Sequence, residues 1–160
     1  MSGLEQDQAL MQNTILGSAI GYDDDGLVDV FFYGAYMDPD ILAVNGGKPR
    51  QQRLAMLPGY RLRLGDKATL LKSPTDSAVG CVYSLYPHEI RRLYAAHPDY
   101  HPIADATVLL TSGFTASVMF MILSDAPAEH IRNVNYIHQM QQILRRLGFG
   151  EEDINRIDHA

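Results

Sequence analysis

The sequence predicts an α+β fold, a small mixed and mostly antiparallel β-barrel or sheet flanked by helices. Three observations lead there. Strand-like segments outnumber helical ones and mostly follow one another along the chain, which favours antiparallel neighbours over a doubly wound fold. One long stretch near the end has helical periodicity. The 160 residues suit one core, and no repeat is visible at a period of about 20–50 residues that would indicate a solenoid or propeller.

Residues 27–33 (LVDVFFY) are β-branched and aromatic and end at Gly34, the pattern of a buried strand running into a loop. Asp38 followed by Pro39 reads as an N-cap and a first helical residue, with a short helix through Ile41 to Val44 that stops at Gly46 and Gly47. The run YRLRL at 60–64 alternates strictly, so Tyr60, Leu62 and Leu64 are expected to face a core and Arg61 and Arg63 water. Residues 68–71 and 79–86 read as the two strands of a hairpin, separated by the turn formers at 73–76 (SPTD).

Pro87 opens a helical stretch with Ile90, Leu93 and Tyr94 on one face, and Pro98 ends it. Residues 107–110 and 116–123 follow as strands with Gly113 in the turn, the second apolar on both faces as in a central strand. Ile131, Val134, Ile137, Met140, Leu144 and Leu147 then recur at helical spacing, and Gly148 supplies a stop. Residues 153–157 add a further turn or two.

Thirteen Lys and Arg against nineteen Asp and Glu give a net charge of -6, which opposes nucleic-acid binding and provides no polybasic membrane anchor. Residues 1–47 hold eight of the acids and no Lys, Arg or His. The organisation expected is an acidic N-terminal segment, 1–26, and a single domain, 27–158. Within the segment, Asp23, Asp24 and Asp25 match no calcium-loop spacing and read as a solvated turn. The longest apolar run, 116–123, is far short of the ~18 residues of a membrane span. The start lacks a basic region before an apolar one, so a cytoplasmic location is expected. Cys81, with no second cysteine in the chain, fits core packing.

Chemistry is expected first at Tyr33-Gly34-Ala35-Tyr36-Met37. A strand that ends in Gly before a short helix either turns several backbone N–H groups toward one point, where a carboxylate can bind, or is a plain tight turn. His97-Pro98-Asp99-Tyr100-His101 has histidines at metal-like spacing, but its prolines keep a helix from presenting both on one face, so no metal is expected. His88, His130, His138 and His159 read as solvated, Glu89 as an exposed helical acid, and Met119, Met121 and Met140 as core.

At this loop and three later stretches the sequence resembles the γ-glutamylcyclotransferase-like family, whose first strand typically ends in Tyr-Gly-Ser-Asn followed by Leu or Met. Ala68-Thr69-Leu70-Leu71-Lys72-Ser73-Pro74 is similar to the family's A-T-hydrophobic-x-x-S-P turn. Gly80-Cys81-Val82-Tyr83 is similar to its G-x-V-Y strand, and Tyr136 with Gly148 twelve residues later to its Tyr-containing terminal helix. These pieces span about 28–157 in the family's order. Ala35 stands where the family usually has Ser and Tyr36 where it has Asn. Laying the family's L-D-x-x-E-G over Leu93-Tyr94-Ala95-Ala96-His97-Pro98 places His97 at the position of the catalytic Glu.

The resemblance implies the fold, and a reaction in which the α-amine of a γ-glutamyl group attacks its own side-chain amide carbonyl, releasing an amine and 5-oxoproline. Both reacting groups belong to one molecule, so the pocket holds a folded conformer and moves protons. An imidazole can exchange protons at neutral pH but supplies no negative charge for a substrate ammonium. The expectation is an enzyme acting by intramolecular acyl transfer on a small polar amine- or acyl-bearing metabolite, without a cofactor. His97 is its catalytic group, Asp99 or Asp105 being an alternative carboxylate. Tyr33, Gly34, Ala35, Tyr36 and Met37 bind substrate, their amides on an anionic group, and Tyr83 and Tyr136 shape the walls. The alternatives are an inactive relative that only binds a small anionic ligand or a protein partner, and an interaction module using the acidic segment. No residue pattern indicates an oligomeric state.

Overall fold

The computed structural model describes residues 26–128 and 132–160. Asp23 to Asp25, the rest of the acidic segment up to residue 25, and His130 and Ile131 lie outside the described residues. Strand β1, Val28–Phe32, is buried at four of its five positions, and apolar residues on both faces need cover on both sides. It pairs antiparallel with β3, Ala68–Leu85, from Val28 opposite Leu85 to Phe32 opposite Cys81. On its other side it pairs parallel with β5, Thr115–Leu123, at Val30 and Met119. Antiparallel ladders join β3 to β2, Arg50–Leu64, then β2 to β4, Tyr100–Leu109, and β4 to β5. The order β1-β3-β2-β4-β5 thereby closes into a barrel, which leaves no open sheet edge. This is the mixed, mostly antiparallel barrel that the strand pattern predicts.

The hairpin differs from its sequence reading. Its strands are β2 and β3, with the turn at Gly65, Asp66 and Lys67, where the Gly65 amide donates to the Lys67 carbonyl at 3.1 Å. The turn formers at 73–76 reverse nothing. Tyr60 pairs with Lys72 and Pro58 with Ser77, so those four residues lie opposite Gly59 alone, whose φ is 85°. Turn-forming residues report where the ladder is interrupted; here β3 resumes on the same partner in the same direction. Arg63, expected in water, is only 3% exposed. At the turn of the hairpin, Asn133 Nδ2 donates to the Gly65 carbonyl at 3.1 Å.

Helix α1, Pro39–Val44, is capped by the Asp38 carboxylate, which accepts from the Asp40 amide at 2.9 Å, as the Asp-Pro pair predicts. Helix α2, Pro87–Tyr94, buries Ile90 and Leu93. Its Glu89 corrects the sequence reading of an exposed acid. The residue is buried and closes a capping box, accepting from the Tyr86 amide at 2.9 Å, the Lys48 amide at 2.6 Å and Arg50 at 2.7 Å. Helix α3, Val134–Leu147, is capped by Asn133 and ends on Gly148 at φ 94°, with Ile137, Met140, Ile143 and Leu144 buried. Helix α4, Glu151–Arg156, follows. Arg146 reaches Asp38 at 2.7 Å and so ties α3 to the start of α1.

Met119, Met121 and Met140 are buried, and burial pushes the Cys81 thiol up to about 11, the behaviour of a packing residue. Among the described residues no helix is long and apolar enough to cross a membrane. The tightest backbone approach is at Gly80, where a Cβ would stand 2.3 Å from the Phe32 carbonyl oxygen and 2.6 Å from the Phe31 ring. Because the obstacle is backbone, Gly80→Ala is expected to cost about 3 kcal/mol, the upper part of the overpacking range. Urea unfolding measures this, and a loss below ~0.5 kcal/mol, the scale of a neutral surface change, would show that β1 and β3 can separate freely here.

Candidate functional site

Beyond β1 the chain makes one turn of 3-10 helix, Ala35–Met37. Gly34 has extended φ of -111°, so its lack of a side chain serves a close approach. A Cβ there would lie 3.1 Å from the Tyr136 hydroxyl and 3.4 Å from Ala68 Cβ. The turn also engages the amides that the sequence reading offered to an anion. Met37 N–H donates to the Gly34 carbonyl at 3.0 Å and Asp38 N–H to the Ala35 carbonyl at 3.1 Å.

The turn forms one wall of a cavity of about 230 Å³. Residues 32–36 line one side, the hairpin turn from Asp66 to Ala68 another, and Tyr94, His97, Tyr100 and Tyr136 complete it. Of the residues expected to bind substrate, Tyr33, Gly34, Ala35, Tyr36 and Tyr136 are thus brought together with His97. Met37 and Tyr83 are not in the lining. Both are fully buried, and the Tyr83 hydroxyl donates to the Met37 carbonyl at 2.7 Å while accepting from Gln52 Nε2 at 2.8 Å. Barrel closure turns these side chains into the core behind the wall.

His97 sits in the turn after α2, where its amide donates to the Tyr94 carbonyl at 3.0 Å and its carbonyl accepts from the Tyr100 amide at 3.2 Å. Its ring meets the Tyr100 ring edge-on at 6.2 Å. Nδ1 is buried and has no hydrogen-bond partner, a state that folded proteins rarely leave without a ligand, a water or a catalytic purpose. The tyrosines differ. The Tyr33 hydroxyl donates to the Met121 carbonyl, that of Tyr36 to Leu93 at 2.9 Å and that of Tyr100 to Ala68 at 2.5 Å. Burial raises the pKa of all five lining tyrosines. They therefore stay protonated at neutral pH, so none serves as a base.

Neither alternative carboxylate enters the cavity. Asp99 pairs with Lys67 Nζ at 2.9 Å, and that hydrogen bond holds its carboxyl below the usual range. Asp105 accepts from the Tyr60 hydroxyl at 2.9 Å on the other side of β4. His101 faces the Ser124 hydroxyl at 3.3 Å, apart from the lining in which His97 takes part. Asp66, Lys67, Tyr94 and Tyr100 were missed in the sequence. The signal available for the first two was the three-residue gap between YRLRL and the Ala68 strand.

No protein-family model matches the chain, and no curated protein matches it. Solved structures do. A γ-glutamyl cyclotransferase superposes with a TM-score of 0.68 at 14% identity, covering 82% of this chain and 86% of that one. A human protein described as uncharacterized gives 0.69 at 14%, covering 84% and 88%. A yeast γ-glutamyl cyclotransferase specific to glutathione gives 0.57 at 12%, covering 84% and 96%. At these identities the likeness establishes the fold, which is γ-glutamylcyclotransferase-like, as the sequence resemblance implies.

Proposed function

We propose that this chain, which has the γ-glutamylcyclotransferase-like fold, is an enzyme that uses its aromatic cavity for intramolecular acyl transfer on a small amine- or acyl-bearing metabolite, with His97 exchanging the proton. The observation that carries this reading is the buried, unpartnered Nδ1 of His97 in the lining of the cavity that the Gly34 turn also walls. In the reaction, a nucleophilic amine of the substrate bonds to its own acyl carbon, the bond from that carbon to the leaving amine breaks, and the proton lost by the attacking nitrogen passes through the imidazole to the departing one. A cavity of about 230 Å³ lies below the ~300–1,000 Å³ of pockets for drug-sized ligands, which suits a metabolite of amino-acid size.

The Met37 amide, taken up by the Gly34 carbonyl at 3.0 Å, favours a second reading, a protein that binds a metabolite without transforming it, since that amide would otherwise be free to stabilise charge on a reacting oxygen. Incubating the protein with γ-glutamyl and aminoacyl amines separates the two. The enzyme releases free amine and a cyclised product, whereas a binder shows ligand-dependent rises in melting temperature and no product.

A further inference from the structure

Six aromatic side chains surround one small space: Phe32, Tyr33, Tyr36, Tyr94, Tyr100 and Tyr136. Neighbouring rings stand across one another rather than in parallel. Phe32 and Tyr36 have centroids 6.0 Å apart at 89°, Tyr36 and Tyr94 are 5.8 Å apart at 90°, and Tyr94 and Tyr100 are 5.4 Å apart at 58°. Parallel walls clasp a flat ligand. Walls set at right angles enclose a rounded one, and ring faces attract positive charge through their quadrupole.

The charges and hydrogen bonds narrow the choice. Lys67 and Asp66 are the charged residues of the lining, and Lys67 is neutralised by Asp99 while its Nζ lies 5.8 Å from the Tyr100 centroid. The ring cluster thus already borders one cation. Among the described residues Asp66 makes no ion pair, which leaves a negative charge at the mouth of the cavity. Inside, the hydroxyls of Tyr33, Tyr36 and Tyr100 are committed to backbone carbonyls, and no carboxylate is buried in the lining. A primary ammonium entering this space could give one N–H to His97 Nδ1 but would meet no buried carboxylate for the others, a substantial cost once they are out of water. An ammonium carrying methyl groups in their place has no such donors and keeps its charge.

We infer that the cavity recognises a methylated ammonium group, held among the rings of Tyr36, Tyr94 and Tyr100 with Asp66 at its mouth. This rests on the reading of the cavity as a metabolite site and names the class of metabolite; the cation is the handle, and the reacting bond lies elsewhere in the same molecule.

Titration calorimetry of the full chain with choline chloride and with its uncharged isostere 3,3-dimethylbutan-1-ol tests this. Choline is expected to bind about tenfold more tightly than the alcohol. Tyr36→Phe should keep that ratio and Tyr36→Leu should lose most of it. Asp66→Asn, at an exposed position, should weaken choline by about two- to threefold and leave the alcohol unchanged. Equal affinities for the two probes, or no binding of choline, overturn the inference, and this comparison on the unmodified chain decides the matter even if Tyr36→Leu fails to fold. If choline fails while γ-glutamyl or aminoacyl amines are still bound or turned over, the cation site falls and the proposed function stands. If none of these compounds binds, both fall.

Discussion

Replacing His97 with Gln is expected to lower turnover by about 10²–10⁴-fold, the usual worth of a positioned general acid or base, while the melting temperature stays nearly unchanged. The two effects separate because the turn at residue 97 is held by backbone. Its amide and carbonyl bond to Tyr94 and Tyr100, and the imidazole Nδ1 bonds to nothing in the protein. A carboxamide keeps much of the ring's volume and polarity but cannot carry a proton between two nitrogens. Steady-state assays of amine release on the wild type and on H97Q measure the first effect, and thermal unfolding the second. Turnover within about threefold of wild type, a loss of under 1 kcal/mol in transition-state stabilisation, would remove His97 from the chemistry. The companion substitution His97→Glu puts a carboxylate at the same place and is expected to give 5-oxoproline from a γ-glutamyl amine.

Glu89→Ala should destabilise the fold by about 2–3 kcal/mol, somewhat under the range for breaking a fully buried ion pair, because Arg50 keeps a quarter of its side chain in water. In a chain of this size that corresponds to a fall of roughly 4–12 °C in melting temperature. The loss has identifiable parts: the amides of Tyr86 and Lys48 lose their acceptor and Arg50 its counter-charge. Burial opposes ionisation of Glu89, but the Tyr86 amide, Arg50 and the Lys48 amide together outweigh it and hold the carboxyl below its ordinary value. The native chain therefore gives up this proton at a lower pH than the unfolded chain does. Its stabilisation is complete above the unfolded carboxyl value of about 4.3 and disappears as pH falls through the lower native value. Wild type and E89A should accordingly differ most near neutrality and converge in acid. A gap in unfolding free energy that stays constant from pH 7 down to pH 3, roughly the interval that brackets the titration of a carboxylate, would mean that the charge of Glu89 does not matter.

Glu89 also shows where reading the sequence reaches its limit. Its place two residues after Pro87 marks a helix start, and the helix is there. Nothing local says that Arg50 and the Lys48 amide, at the start of β2 and just before it, arrive over that carboxylate from about forty positions earlier. Arg63 is a similar case, since the alternation of YRLRL holds at Arg61, which is exposed, whereas Arg63 is buried by the tertiary fold. The turn formers at 73–76 were legible as an interruption, yet whether a chain reverses or bulges depends on its partner strand. That partner includes Gly59, whose positive φ lets β2 bend where β3 loops out.

For the site, the Gly34 turn was legible from a strand ending in Gly before a short helix, while His97 and Tyr136 were singled out by the resemblance to the family's L-D-x-x-E-G pattern and its Tyr-containing terminal helix. Asp66, Lys67, Tyr94 and Tyr100 were not, because each has an unremarkable neighbourhood and acquires meaning only where the β2–β3 turn meets the end of α2. Met37 was expected at the site from its place in the Gly34 loop and Tyr83 from its likeness to the family's G-x-V-Y strand, whereas the geometry turns both inward.

The resemblance to the family's motifs singled out His97; by itself, the order of apolar, alternating and turn-forming residues determined the class of fold, the capped helices and the turn at residue 34. Those features rest on interactions within a few residues of one another, where backbone sterics and side-chain period act directly. Closure of the barrel decided the rest: which tyrosine rings face one another, which hydroxyls are taken up by carbonyls, and that a buried imidazole is left without a partner. These are distances between residues far apart in the chain, and only packing of the whole sheet sets them.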